Sequence, residues 1–139
     1  MKQRRSILYL LQTDLQALTK ELLHGLKAIH IVGFVHGDIN PGNILVNMDK
    51  TGSASVALDG FGKCAEIEHL PKLDLANLDI CGLLHQAPEV IESQGAVRSR
   101  ASDIWSLGVV LYYFSCGRMP FACEQEISEK SLDFGFANR

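Results

Sequence analysis

The sequence predicts a mainly α-helical fold with short β-hairpins, on three observations. Leucines recur at helical spacing through residues 13–33, a dense apolar stretch fills 102–116, and short apolar runs flank a polar loop at 36–43. The first stretch opens at Thr13, whose hydroxyl can cap a free amide while Gln16 reaches back in a capping-box pattern. Leu15, Leu18, Leu22, Leu23, Leu26 and Ile29 then form a stripe that must be covered to stay soluble, so it is assigned to the core. The helix should end near Val32-Gly33, where glycine takes a left-handed cap at little cost.

Phe34-Val35 reads as a short buried strand, residues 36–43 as a polar loop, and Ile44-Leu45-Val46 as a second strand. Asp49, Lys50, Thr51 and Gly52 make a turn, so Val56-Ala57-Leu58 returns as the other arm of a hairpin. Residues 63–86 show little periodicity, several charges and Pro71, the pattern of a mobile segment. From Ser102 the chain is apolar enough for a helix buried on most sides. Ser102 is the expected cap, and Asp103 is explained either by the helix N-terminus or by a tertiary anchor. Gly117 ends that helix and Pro120 prevents its return, after which 124–131 reads as a more polar helix.

Bulk composition narrows the function classes. The chain has 139 residues, 47% apolar and 21% charged, which suits one soluble domain or part of one. A net charge of -3 gives no general attraction for nucleic acid, and the basic start at Lys2, Arg4 and Arg5 reads as a solvated chain end. Cys64, Cys81, Cys116 and Cys123 contain no Cys-x-x-Cys pair, so neither a zinc site nor a disulfide framework is expected. The longest apolar run, Leu107 to Phe114, is interrupted by Gly108 and is far shorter than a membrane span. The expected location is the cytoplasm, with the nucleus open.

Three motifs stand in order: His-Gly-Asp-Ile-Asn-Pro-Gly-Asn at 36–43, Ala87-Pro88-Glu89, and Asp103-Ile104-Trp105-Ser106-Leu107-Gly108. Together they resemble the C-terminal large lobe of serine/threonine-type protein kinases, over residues 13–139. The loop 36–43 is also similar to that of aminoglycoside and choline phosphotransferases, but the two later motifs match the peptide-substrate segment and central helix of protein kinases.

The resemblance implies ATP-dependent phosphoryl transfer to a protein hydroxyl, with Mg2+. Asp38 matches the catalytic aspartate and Asn43 a magnesium ligand, with Asn43 and Leu45 against the nucleotide. His36, Phe61, Glu89 and Asp103 match structural positions, Asp103 bracing the catalytic loop from below. The implied layout is 1–12 an N-terminal segment, 13–33 the first helix, 36–62 the catalytic and metal loops, 63–89 the activation segment, 102–116 the central helix and 124–131 the helix after it. A protein substrate or partner is expected, and neither nucleic acid nor membrane.

Several residues depart from the family. Gly37 stands where many kinases have Arg, and Asn40 where serine/threonine kinases have Lys. The family's Asp-Phe-Gly appears as Asp59-Gly60-Phe61-Gly62, which allows two registers: Gly60 replaces the metal-binding aspartate, or Asp59 is the ligand and Gly60 an insertion. Residues 63–86 contain no Ser, Thr or Tyr. The family's glycine-rich loop, its strand lysine and its helix glutamate would lie before Met1, and its last helices after Arg139. A truncated lobe is therefore expected, with little or no turnover as an isolated chain; a noncatalytic, pseudokinase-type binding module is the competing expectation.

Overall fold

The computed structural model describes residues 14–129. Its elements run α1 (Leu15–Ile31), β1 (Phe34–Val35), β2 (Ile44–Met48), β3 (Ala54–Leu58), β4 (Ala65–Glu66), α2 (Ile80–Leu84), α3 (Pro88–Glu92), α4 (Arg100–Cys116) and α5 (Glu124–Glu129). Four strands make two antiparallel pairs, β1 with β4 and β2 with β3. None of the described helices is long and apolar enough to cross a membrane.

The main core lies where α1 and α4 meet the β2–β3 hairpin. Leu18, Leu22 and Leu26 from one face of α1 pack with Ile39, Ile44, Val56, Leu107, Val110 and Phe114. Each leucine sealed there contributes about 1.5–3 kcal/mol of transfer free energy. Leu23 does not join the stripe and is 41% exposed, because one residue past Leu22 turns the side chain about 100° around the helix. The Glu21 carboxylate accepts from the Val56 amide at 2.7 Å, which ties the hairpin to the helix.

The Thr13 cap lies outside the described residues, as do the last residues of the 124–131 helix. In α1 the N-cap position is Asp14, without a side-chain cap bond, and the helix closes at Val32. Gly33 follows with φ of 86°. The hairpin register places Ile44 opposite Leu58 and Val46 opposite Val56. Asp49 holds its turn through Thr51 and Ser53.

Two expectations are corrected. The cap of α4 is Ser99, and Ser102 is the third residue of the helix, its hydroxyl and that of Ser99 each accepting from the other's amide. Serines three apart complete a reciprocal capping box, so the helix starts earlier than a single Ser102 cap would give. Residues 63–86 also hold more structure than their lack of periodicity suggests: β4 and the short α2 capped by Asp79. Gly117 ends α4 with φ of 71°, as expected.

His85 is fully buried. Its Nδ1 donates to the Cys81 carbonyl at 2.5 Å, and its Nε2 has no partner among the described residues. Burial pushes this imidazole below the usual 6.5, while the Cys81 bond and the Asp38 and Asp79 charges oppose the shift. The unfolded chain takes up a proton below about pH 6.5 that the folded chain excludes, so the His85 contribution is full above that pH and is lost as pH falls. A His85→Asn variant, which keeps a donor for Cys81, is expected to show a shallower decline of Tm between pH 7.5 and 5.5. An unchanged slope would remove His85 as the cause.

Candidate active site

Between β1 and β2 the loop His36–Asn43 is held from beneath and from within. The buried Asp103 carboxylate, 1% exposed, accepts from the amides of His36 and Gly37, each at 2.8 Å. It also accepts from His30 Nε2 at 2.8 Å, at the end of α1. Asp103 is therefore a tertiary anchor, with two backbone donors whose direction it fixes.

His36 is the second support. Its Nδ1 accepts from the Asp38 amide at 3.3 Å, so Nε2 carries the proton and donates to the Asp59 carbonyl at 2.9 Å. One ring thus joins the 36–43 loop to the 59–62 turn. The Phe61 ring lies against it with centroids 5.1 Å apart, although Phe61 remains 49% exposed.

Asp38 and Asn43 are brought together. The Asn43 Nδ2 donates to the Asp38 carbonyl at 2.8 Å, which leaves its amide oxygen free as a hard ligand. Asn40 donates to Asp38 Oδ1 at 3.3 Å and accepts from the Gly42 amide at 2.9 Å. It thereby caps the Pro41–Asn43 turn, a role that a lysine could not fill because it has no acceptor. The cation at Asp38 comes from elsewhere: Lys63 Nζ stands 2.9 Å from Asp38 Oδ2.

The 59–62 turn places a glycine where a carboxylate would reach Asn43. Gly60 has φ of 76° and ψ of 42°, and a Cβ built on it would lie 2.2–2.4 Å from the Asn43 amide atoms. Asp59 points its backbone inward, its amide donating to the Asn43 carbonyl at 2.9 Å, while the residue as a whole is exposed. A side chain at position 60, rather than at 59, would share a ligand with Asn43. Among the described residues no group of three or more His, Cys, Asp or Glu could hold a metal.

Leu45 lies on β2 and is 55% exposed, an open apolar surface next to Asn43. Glu89 sits in the first turn of α3, apart from this cluster. Two groups escaped the sequence reading, Lys63 and Arg98. Arg98, 7% exposed, lies over Gly37, and burial pushes its guanidinium below the ordinary range while Asp103, Cys64 and Asp38 oppose this. Burial also raises the thiols of Cys64 and Cys81, which makes both poor nucleophiles.

The protein kinase domain family matches residues 2–137 of this chain. The chain belongs to the protein kinase family. The lobe is 36% identical over 116 residues to the mitogen-activated protein kinase kinase kinase MCK1 of Pyricularia oryzae, covering 84% of this chain and 7% of that protein. It is 33% identical to the maternal embryonic leucine zipper kinase of Xenopus laevis, over 81% of this chain and 16% of that one. Sperm motility kinase 2B of Mus musculus is 36% identical, over 81% and 22%. Among solved structures, the Rad53 kinase domain and SCD2 in complex with AMPPNP superposes with a TM-score of 0.58 at 27% identity, covering 81% of this chain and 39% of that one. The lobe thus spans less than a quarter of these curated relatives, and the mainly α-helical large-lobe architecture expected from the motifs is the one found.

Proposed function

We propose that this lobe carries the substrate-hydroxyl half of an ATP-dependent protein phosphotransferase acting on Ser or Thr, with little or no turnover as an isolated chain. The observation that carries the reading is that Asp38 and Asn43 are joined in one loop, the Asn43 side chain donating to the Asp38 backbone carbonyl, and that this loop is held on the buried Asp103. Phosphoryl transfer depends chiefly on positioning and charge stabilisation, and a braced loop supplies the first.

In this reading Asp38 Oδ1 accepts the substrate hydroxyl and orients its oxygen, while Oδ2 stays on Lys63. The free amide oxygen of Asn43 would hold magnesium, whose chemistry when bound is to neutralise phosphate charge. Leu45 offers an apolar floor for the nucleotide. Asp59 is a weaker candidate ligand than its position in the sequence suggests, because the residue is exposed and position 60, a glycine here, is the one whose side chain would meet the Asn43 amide. That same glycine favours the second reading, a noncatalytic module that docks a partner protein. The composition fits the cytoplasm or nucleus for either.

A thermal-shift titration with ATP, with and without magnesium, tests the reading. At a Kd of about 1 mM, 10 mM nucleotide would add about 1.4 kcal/mol by mass action, or a few degrees of Tm for a domain of this size. The expected result is a magnesium-dependent rise that disappears in Asn43→Ala and survives in Asp59→Ala. No rise in a folded sample would overturn the phosphotransfer reading and leave the binding module.

A further inference from the structure

Gly37 and Arg98 share one space. Gly37 has φ of 75°, and a Cβ built on it would lie 1.7 Å from Nη2 of Arg98 and 2.8 Å from its Cζ. Any side chain at 37 would therefore displace the guanidinium. Arg98 reaches this place from the connection between α3 and α4. Its Nη2 donates to the Lys63 carbonyl at 2.5 Å and its Nη1 to the Pro71 carbonyl at 3.3 Å. Both acceptors belong to the stretch after Gly62, which offers no hydroxyl for phosphorylation between 63 and 86.

We propose that Arg98 is a positioning residue that occupies the room left by Gly37, ties down the 63–71 backbone without a phosphate, and so sets the Lys63 ammonium on Asp38. The inference rests on the reading of Asp38 as the catalytic carboxylate, and it names what orders the segment beside it.

The chemistry of the two cations suits this division. The guanidinium is a planar fork of donors, able to hold two carbonyls at once, whereas lysine is a compact charge on a flexible stem. A charge this deep has to be compensated, and Arg98 has two carbonyl oxygens in contact and the Asp103 and Asp38 charges nearby. Fixing the Lys63 backbone shortens the search of its side chain, so less rotamer freedom is lost when the amine meets Asp38. The loop thereby gains at Lys63 the positive charge that Asn40 does not carry.

The test reads the Lys63 amine directly and needs no nucleotide, so its failure is separate from failure of the phosphotransfer reading. The whole chain is treated briefly with an amine-acylating reagent, and modification of Lys63 is compared by mass spectrometry with that of exposed Lys50. Asp38→Asn is expected to raise Lys63 modification by about 2–5-fold, the factor that a partly exposed ion pair affords. Arg98→Met should raise it to the same extent and speed amide exchange across 63–71, with exchange in α1 and α4 unchanged.

Arg98→Lys keeps the charge but not the fork, and is expected to restore stability without restoring protection of Lys63. Should Arg98→Met fail to fold, Arg98→Lys alone decides. Protection of Lys63 equal to that of the parent, in whichever variant folds, would reduce Arg98 to a packing residue and overturn the proposal.

Discussion

Replacing Asp103 by alanine is expected to cost about 3–5 kcal/mol, the scale set by removing one partner from a buried charged network. The carboxylate is 1% exposed and accepts from two backbone amides and one imidazole. Alanine would leave the buried His36 amide and the part-buried Gly37 amide without their acceptor, and each orphaned buried donor costs about 1–3 kcal/mol. Domains have only about 5–15 kcal/mol in total, so much of the chain would unfold at physiological temperature. Asp103→Asn keeps one carbonyl acceptor and should lose roughly half as much. Urea midpoints of the three proteins measure this, and a loss below about 1 kcal/mol for alanine would show that the loop is held by other means.

The second large effect is expected at Gly60, where a carboxylate should add a second oxygen ligand beside Asn43 and so strengthen magnesium binding. Gly60→Asp introduces a side chain at φ of 76°, which aspartate tolerates better than most residues, at a cost on the order of 1 kcal/mol. Its Cβ would crowd the Asn43 amide, so the metal-free protein should melt lower than the parent. With magnesium the two oxygens converge on one ion, which suits its demand for hard ligands in tight octahedral geometry. The expected outcome is a magnesium-dependent nucleotide shift several degrees above that of the parent, from about a tenfold gain in affinity. Gly60→Ala carries at least that backbone cost without the carboxylate and should show only the lower melting. An equal response of both variants to magnesium would place the metal elsewhere.

How much of this was legible in the sequence depends on how local each feature is. The two long helices were readable because their apolar residues repeat at the helical period, and Asp38, Asn43 and Asp103 because each stands in a distinctive run. Ser99 was missed because Ser-x-x-Ser offers two caps, and only the reciprocal bonds choose between them. The five-residue helices α2 and α3 are too short to show a period. The left-handed angle that sets Gly60 against the Asn43 amide is not encoded in composition. Lys63 and Arg98 were invisible for a different reason: their partners are brought by tertiary packing, and no spacing joins them.

The anchor on Asp103 has a further consequence for the order in which the molecule forms. The bond from the His36 amide spans a sequence separation of 67 residues, so the loop cannot take its shape from its own neighbours. It depends on α4 docking on α1, and contacts across so long a connection carry a loop-closure cost that local ones do not. The geometry of the 36–43 loop and the cooperative collapse of the lobe are then one event. The amide protons of His36 and Gly37 should exchange with solvent only through global unfolding, at the rate of the deepest core positions, although they belong to a loop.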